Sequence, residues 1–158
     1  CSNFSAAQLR EAEAAAVGAR FVSVQNEYSV FRREPEGEVL PECARLDIAF
    51  IPYFPLASGL LTGKYRKGQE SPRGTRIEPG SDRLSEVTLD RVERLIAVAE
   101  ASDRTLLELA FSWLLARGEV ASVIAGATRP EQVAANAAAV GWRLSEEEWA
   151  AVDAALAA

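Results

Sequence analysis

Histidine is absent from the 158 residues, and this absence excludes several classes of catalytic site. This chain alone cannot assemble a Ser-His-Asp or Cys-His catalytic set, a histidine-ligated zinc site or a histidine acid–base catalyst. Cysteine is also scarce, because Cys1 and Cys43 are too few for a disulfide framework or a four-cysteine zinc site. We therefore expect no metal site and a reduced, cytoplasmic protein.

Positive charge is in deficit, and long hydrophobic runs are missing. The chain has 17 Lys and Arg against 23 Asp and Glu, a net charge of −6. This balance argues against nucleic-acid and anionic-membrane partners, which need clustered positive charge. No apolar run reaches the ~18 residues of a transmembrane span. With 49% hydrophobic and 25% charged residues, the composition is that of a globular domain.

Methionine is absent as well, and the chain begins with Cys1. We expect either that an upstream segment was removed or that the sequence is a fragment of a longer chain. A mature bacterial lipoprotein also begins with cysteine. Ser2-Asn3-Phe4, however, leads directly into a capped helix and does not resemble a lipoprotein tether.

Capping patterns and short apolar runs alternate along the chain. This alternation of helices and strands predicts an α/β fold with parallel strands, although a complete eight-stranded barrel needs ~250 residues. A long polar loop, at about 58–86, is predicted after the second strand. Capping boxes predict helices that begin after Ser5, Thr105, Thr128 and Ser145. Apolar periodicity predicts helices at ~36–46 and 89–99 and strands at 21–25, 49–53 and 121–125, and a further strand is a candidate just before Ser2.

Polar residues follow the predicted strands, where ligands bind in parallel α/β folds. Thr128 and Arg129 place backbone N–H groups, a hydroxyl and a guanidinium at a helix N-terminus, which suits a phosphate. An ordinary helix cap with a solvated arginine is the alternative. Residues 59–65 lack the spacing of a Walker phosphate loop, and Lys64 is either a diphosphate contact or an exposed lysine. Tyr53 either packs in the core or stacks on a flat ligand ring.

Five motifs in a fixed order resemble the aldo-keto reductases, and most closely the bacterial members and the potassium-channel β subunits. The resemblance covers essentially the whole chain but only the carboxyl-terminal half of that family's barrel. It implies a partial, half TIM-type (β/α)8 barrel with about three to four parallel strands. Residues 1–158 would form this single partial barrel domain, with a long cofactor loop at about 58–86. The motifs are SNFS at Ser2–Ser5, VQNEYS at Val24–Ser29, YFPLASGLLTGKY at Tyr53–Tyr65, VIAGATRPEQVAAN at Val123–Asn136 and LSEEE from Leu144.

The resemblance implies a nicotinamide cofactor, held by residues after each strand. Thr128 and Arg129 favour NADPH over NADH, because the guanidinium can neutralise the additional phosphate. Phe54 departs from the family's usual serine, so backbone donors and Lys64 would contact the pyrophosphate. By resemblance, Ser2, Asn3 and Gln25 bind the carboxamide, Tyr53 stacks on the nicotinamide, Phe54, Pro55, Leu56, Gly59, Leu61 and Lys64 lie near the pyrophosphate, and Gly126, Thr128, Arg129, Gln132 and Asn136 bind the 2′-phosphate and adenine.

The family's catalytic Asp, Tyr, Lys and His have no counterparts in this sequence, so the resemblance implies no catalytic residue here. Whether the chain is an enzyme stays open. The leading interpretation is the cofactor-binding half of an NADPH-dependent oxidoreductase that reduces aldehydes and ketones by hydride transfer. The alternatives are a non-catalytic nicotinamide-nucleotide-binding or regulatory subunit and a structural half-barrel fragment.

Two kinds of partner are expected. A completed protein would take a small carbonyl substrate. The half-barrel itself would pair with a missing amino-terminal half or associate with a second copy, because its strand edges and its barrel-facing apolar side chains would be partly uncovered. These side chains belong to Phe21, Val24, Phe50, Ile51, Val123 and Ile124.

Overall fold

A computed structural model describes residues 1–157 as an α/β protein with a small parallel sheet, as the sequence predicts. Its contacts divide the chain into two units, which are described separately below. The first unit comprises Cys1–Pro55 and Leu114–Gly126. The second unit comprises Leu56–Trp113 and residues 127–157.

The sheet lies in the first unit. Strands β1 (Ser23–Val24) and β2 (Ala49–Phe50) pair in parallel, with Ser23 opposite Ala49 and Val24 opposite Phe50. Single parallel bridges continue this ladder on both sides. The predicted third strand at 121–125 contributes only such bridges. They join Ser2 to Gln25, Glu27 to Tyr53, Phe50 to Val120 and Tyr53 to Ile124.

Two helices accompany the sheet in the first unit. Helix α1 (Ala6–Ala15) begins with the predicted capping box, in which the Gln8 N–H donates to Ser5 Oγ and the Ser5 N–H donates to Gln8 Oε1. Helix α2 (Val39–Leu46) follows a 3-10 turn at Glu34–Glu36. This arrangement confirms the predicted helix at ~36–46 in its carboxyl-terminal part.

Tyr28 lies in the core of this unit, with its ring 5.7 Å from that of Phe50 in an edge-to-face contact. Its hydroxyl donates to Glu36 Oε1 at 2.8 Å, and Arg117 Nη2 donates to the same oxygen at 2.9 Å. Burial is the main cause that raises the pKa of Tyr28 well above its ordinary value. The phenol therefore keeps its proton, and Tyr28 serves packing.

Four helices belong wholly or mainly to the second unit: α3 (Glu86–Glu100), α4 (Leu106–Leu115), α5 (Pro130–Ala138) and α6 (Glu146–Ala157). The predicted capping boxes at Thr105 and Ser145 are present. Helices α3 and α6 pack together, and the Arg94 Nε donates to the Ala155 carbonyl oxygen at 2.8 Å. The fully buried Trp113 lies 5.4 Å from Trp149 between ring centroids.

The predicted capping box at Thr128 is wrong by one residue. The N-cap of α5 is Arg129, whose backbone is extended and whose side chain makes no capping hydrogen bond. Pro130 explains the shift, because a residue that precedes proline is driven out of the helical region, while proline itself suits the first helical position. The Thr128 N–H instead donates to Gln132 Oε1 at 2.7 Å.

The predicted loop at about 58–86 contains ordered structure. Two 3-10 segments, Ala57–Thr62 and Asp82–Leu84, lie at its ends. Between them, Tyr65 and Ile77 are almost completely buried, and the Tyr65 hydroxyl donates to the Ile77 carbonyl oxygen at 3.2 Å. This part of the chain has a small apolar anchor of its own.

Candidate functional site

The three predicted carboxamide-binding residues meet at the carboxyl end of β1. The Asn3 N–H donates to the Gln25 carbonyl oxygen at 2.8 Å, and Ser2 Oγ donates to the same oxygen at 3.2 Å. The Gln25 N–H in turn donates to the Cys1 carbonyl oxygen at 3.0 Å. The parallel pairing of residues 1–3 with the end of β1 therefore brings together residues that are more than twenty positions apart in sequence.

Tyr53 joins this group from the end of β2. Its hydroxyl donates to Asn3 Oδ1 at 2.7 Å. Its N–H donates to the Asn26 carbonyl oxygen at 3.1 Å, and its carbonyl oxygen accepts from the Tyr28 N–H at 3.3 Å. The sheet thus fixes the backbone of Tyr53, and the side chain reaches the predicted carboxamide-binding residues.

The polar groups at this point fit a carboxamide. A nicotinamide carboxamide carries one acceptor oxygen and an NH₂ group, and Asn and Gln side chains carry the complementary donors and acceptors. Among residues 1–157, neither the Asn3 Nδ2 group nor the Gln25 side-chain amide has a hydrogen-bond partner in the structure. Both amides are at least partly accessible to solvent. The four residues are therefore able to hold a planar amide beside an aromatic ring.

Two non-glycine residues, one in this cluster and one directly after Tyr53, have left-handed backbone conformations. Asn3 has φ +58° and Phe54 has φ +53°. Asparagine tolerates this region, whereas for phenylalanine it costs on the order of 1–3 kcal/mol and persists only where the surroundings impose it. The exposed ring of Phe54 lies 5.4 Å from that of Tyr53 in an edge contact. Pro55, which follows, is buried, and Gly126 at the end of this unit is exposed.

In the second unit, the predicted pyrophosphate residues form a tight turn. The N–H groups of Gly59 and Leu61 both donate to the Leu56 carbonyl oxygen, at 2.8 and 3.2 Å, so these two donors already have partners. Gly59 has φ +102°, and a Cβ there would lie 3.0 Å from the Lys64 ammonium. Glycine is favoured at this position because L side chains rarely adopt this backbone conformation. Leu61 is buried, and the exposed Lys64 ammonium lies 5.1 Å from the Tyr65 ring centroid.

Arg83 is a second cation at this turn that the sequence did not reveal. Its Nη1 donates to Ser58 Oγ at 2.8 Å. The two residues are 25 positions apart, and no periodicity or motif links them. Composition signalled only a loop with charges of both signs, because a contact between loop residues depends on how the loop folds.

The predicted 2′-phosphate and adenine residues lie around α5. Gln132 Oε1 accepts from both the N–H and the hydroxyl of Thr128, at 2.7 and 3.2 Å. Thr128 and Arg129 line an open cavity of about 650 Å³, together with apolar side chains on one side of α5. An exposed guanidinium beside an apolar wall fits a phosphate carried by a flat or apolar group. Asn136, one turn beyond Gln132, is half-buried and does not line this cavity.

The part of the chain that the structure describes is residues 1–157. Histidine, cysteine, aspartate and glutamate side chains form no group of three or more in this part that could hold a metal ion. No helix in the same residues is both long enough and apolar enough to cross a membrane.

Comparison with known proteins identifies one family. The sequence model of the aldo/keto reductase family matches residues 1–157. A probable voltage-gated potassium channel subunit beta from Arabidopsis thaliana is 37% identical over 149 residues, which are 88% of this chain and 45% of that protein. The NADH-specific methylglyoxal reductase of Escherichia coli K12 is 32% identical over 135 residues, 79% of this chain and 39% of that enzyme.

A solved structure gives the same result. The glycerol dehydrogenase from Gluconobacter oxydans superimposes with a TM-score of 0.81 at 30% identity, and the match covers 99% of this chain and 47% of that enzyme. The chain spans less than half the length of each of these three proteins.

Proposed function

The chain belongs to the aldo/keto reductase family, as its motifs predicted, and from this premise we propose that it supplies the cofactor-binding part of an oxidoreductase. The proposed reaction is the NADPH-dependent reduction of aldehydes and ketones by hydride transfer. The chain is proposed to be half of a TIM-type barrel, which its likeness to the glycerol dehydrogenase supports.

One observation supports this proposal more than any other. Ser2, Asn3, Gln25 and Tyr53 come from three separate segments, and the parallel ladder brings them to one place. A carboxamide and a flat ring are the chemical groups that two amides, a hydroxyl and an aromatic side chain recognise together. A nicotinamide carries both groups.

Arg129 supports NADPH rather than NADH. Its guanidinium lies at an exposed helix N-terminus beside a cavity, where a 2′-phosphate would gain a charge-assisted hydrogen bond. The E. coli relative is NADH-specific by name, so membership of the family does not by itself favour NADPH. The identity of the preferred cofactor is therefore the first property to measure.

When bound, a reduced nicotinamide nucleotide supplies the hydride in such a reaction. In this proposal Ser2, Asn3 and Gln25 hold the carboxamide and so orient the nicotinamide ring, while Tyr53 lies against it. Lys64 and Arg129 neutralise phosphate charge. None of the residues proposed for the site donates a proton to the product alkoxide. The proton donor would come from a partner.

That partner is proposed to be an amino-terminal half of the barrel, or else a second copy of this chain. Either one would cover the edges of the small sheet. A completed barrel would take a small carbonyl compound as its substrate. Because Cys1 and Cys43 are both free thiols, we also propose the reducing cytoplasm as the location.

A second candidate function is that of a non-catalytic regulatory subunit that binds the same nucleotide. The name of the Arabidopsis relative, a probable channel subunit beta, favours it. A purely structural fragment that binds no nucleotide is the third.

Calorimetric titration with NADPH and with NADH separates these functions. Binding of NADPH, followed by its oxidation by methylglyoxal or other aldehydes once an amino-terminal half is supplied in trans, is the expected result. Binding that persists without any turnover would favour the regulatory subunit. If neither nucleotide binds, with or without the added half, both nucleotide-dependent functions are wrong.

A further inference from the structure

Tyr53 and Asn3 are joined by a side-chain hydrogen bond at the surface of the first unit. Tyr53 Oη donates to Asn3 Oδ1 at 2.7 Å, across 50 positions of sequence. Asn3 is exposed, and Tyr53 is only half-buried. A hydrogen bond in such a place adds little to the stability of a fold, because water competes for both partners. The orientation that this hydrogen bond gives to the two side chains therefore matters more for binding a ligand than for the stability of the fold.

The backbones on both sides of this hydrogen bond are held in place. Asn3 has a left-handed backbone, and its N–H donates to the Gln25 carbonyl oxygen. Tyr53 is bridged to Glu27 on one side and to Ile124 on the other. The hydrogen bond therefore connects two fixed points, and what it determines is the orientation of the side chains.

The side chain most affected is the Asn3 amide. An amide has one accepting oxygen and one donating NH₂ group, and rotation by half a turn about its terminal bond exchanges them. Because the Tyr53 hydroxyl donates to Oδ1, the oxygen faces the phenol. The Nδ2 group then remains available, since no residue among 1–157 accepts a hydrogen bond from it.

Phe54 limits the movement of the phenol. Its ring packs against Tyr53 at 5.4 Å between centroids, with the two planes at 74°. The left-handed backbone of Phe54, at φ +53°, directs this ring. The aromatic ring at position 54 therefore packs directly against the phenol of Tyr53.

We propose that Tyr53 is a positioning residue, whose hydroxyl fixes the Asn3 amide so that Nδ2 donates to the carboxamide oxygen of nicotinamide. This inference rests on the proposed function, since it requires that a nicotinamide nucleotide binds. The proposal gives Tyr53 a role in addition to its proposed contact with the nicotinamide ring. The pair selects for a strong acceptor at the carboxamide, and it does so without a direct contact between the hydroxyl and the cofactor.

The test compares NADPH with thio-NADPH, in which sulfur, a weaker acceptor, replaces the carboxamide oxygen. Calorimetry on the full chain should show NADPH binding more tightly than thio-NADPH. Tyr53→Phe keeps the ring and removes only the hydroxyl. It should raise the Kd for NADPH about three- to tenfold and bring the two affinities closer together. Tyr28→Phe is the control, because Tyr28 donates to Glu36 in the core and should leave the ratio of affinities unchanged.

A double-mutant cycle separates positioning from direct contact. Asn3→Ala removes the amide, so Tyr53→Phe should have almost no further effect on NADPH binding in that background. Asn3→Asp keeps an acceptor for the phenol but has no Nδ2, and it should weaken binding at least as much as Asn3→Ala does.

Three results would count against the inference. An equal effect of Tyr53→Phe with and without the Asn3 amide would overturn it, and so would an unchanged preference for NADPH over thio-NADPH in Tyr53→Phe. Either result leaves the proposed function intact. If the wild-type chain binds neither nucleotide, with or without an amino-terminal half, the proposed function fails, and this inference fails with it.

Discussion

Arg66 and Glu93 form a bidentate ion pair that connects the segment after the glycine turn to helix α3. Arg66 Nε and Nη2 each donate to a different oxygen of Glu93, both at 2.9 Å. The Lys67 N–H adds a third bond to the same carboxylate at 2.9 Å. The Arg66 guanidinium is the main cause that holds the pKa of Glu93 below its usual value. With Tyr65 and Ile77 buried nearby, the ends of the segment 65–77 are anchored and its middle is exposed.

Glu93→Gln should therefore loosen this segment while it leaves every tryptic site in place. We expect trypsin to cut between Arg66 and Arg76 several times faster in the variant, because local opening becomes less costly. Mass spectrometry of the first fragments measures the rate and the position. Glu78→Gln is the matched control, since Glu78 is exposed directly after this segment. Equal rates in the two variants would mean that the ion pair does not hold the segment.

The same digestion tests the predicted cofactor loop at about 58–86. If this loop closes on a nucleotide, NADPH should slow the first cuts within it. Cutting that is indifferent to saturating NADPH would contradict the predicted role of the loop.

Arg129→Ala tests the preference for NADPH. If the guanidinium meets a 2′-phosphate, the variant should weaken NADPH binding by about ten- to a hundredfold, which corresponds to a charge-assisted contact of roughly 1.5–3 kcal/mol. Binding of NADH should hardly change, because NADH lacks that phosphate. Arg143→Ala provides a control for the loss of one positive charge, since Arg143 is exposed in the same unit. An equal loss for both nucleotides would contradict NADPH selection by Arg129.

The ion pairs of Glu42 with Arg45 and Arg10 should contribute to stability in a way that depends on pH. Its carboxylate accepts from Arg45 on α2 and from Arg10 on α1, with closest distances of 2.6 and 3.0 Å. The hydrogen bond from Arg45, and then that from Arg10, hold the pKa of Glu42 below its usual value, against the opposing effect of desolvation. A carboxyl whose pKa is lower in the folded state stabilises the fold above its unfolded pKa, and this stabilisation is lost as the pH falls through the folded pKa.

We therefore expect Glu42→Gln to lower the free energy of unfolding at about pH 7 and to have a smaller effect at about pH 3. Urea denaturation at both pH values measures the difference. Glu38→Gln, at an exposed neighbouring position, should change little at either pH. A loss of stability from Glu42→Gln that is the same at both pH values would show that the pair does not stabilise through charge.

The elements that the sequence predicted well are those that local chemistry determines. The capping boxes at Ser5, Thr105 and Ser145 satisfy helix N-termini with residues three positions apart, so they can be identified from sequence alone. The capping box predicted at Thr128 is wrong because Pro130 restricts the backbone of the residue before it. This constraint overrides the capping pattern.

The site was predictable only in part, because contacts between residues far apart in sequence are not determined by local chemistry. Motifs picked out Ser2, Asn3, Gln25 and Tyr53 as a group, and the structure brings these four together. No motif foretold that the Tyr53 hydroxyl would face Asn3 or that Arg83 would reach Ser58, because such contacts depend on register and loop geometry. The preference between NADPH and NADH is likewise a property of binding, and it stays a prediction.

Exposed apolar side chains in the first unit predict association. Val24 and Phe50, which the sequence placed among the partly uncovered residues, are fully buried, because the parallel ladder and Tyr28 cover them. Phe21 and Ile124 are 44% and 43% exposed, as expected, and Val22 is 72% exposed. We call Phe21, Val22 and Ile124 the exposed apolar set.

The sheet adds a second reason for association. Its outer segments, residues 1–3 and 120–124, each pair on one side only within the described chain, so backbone groups on the other side are open to a partner. Apolar area removed from water stabilises an interface by ~25 cal/mol per Å², so a few hundred Å² amounts to several kcal/mol. A partner that covers both the strand edges and the exposed apolar set would gain binding free energy from each.

We expect the isolated chain to sediment as a dimer or a larger species at micromolar concentration and to bind a dye that is specific for exposed apolar surface. Replacing Val22 with serine should shift the equilibrium toward monomer and reduce dye binding with little loss of stability, since this side chain is already 72% exposed. Val87→Ser is the control, because Val87 is an exposed apolar residue of the second unit, on α3, and should leave the assembly unchanged. A wild-type chain that sediments as a sharp monomer, unfolds cooperatively and binds no dye would show that these surfaces need no partner.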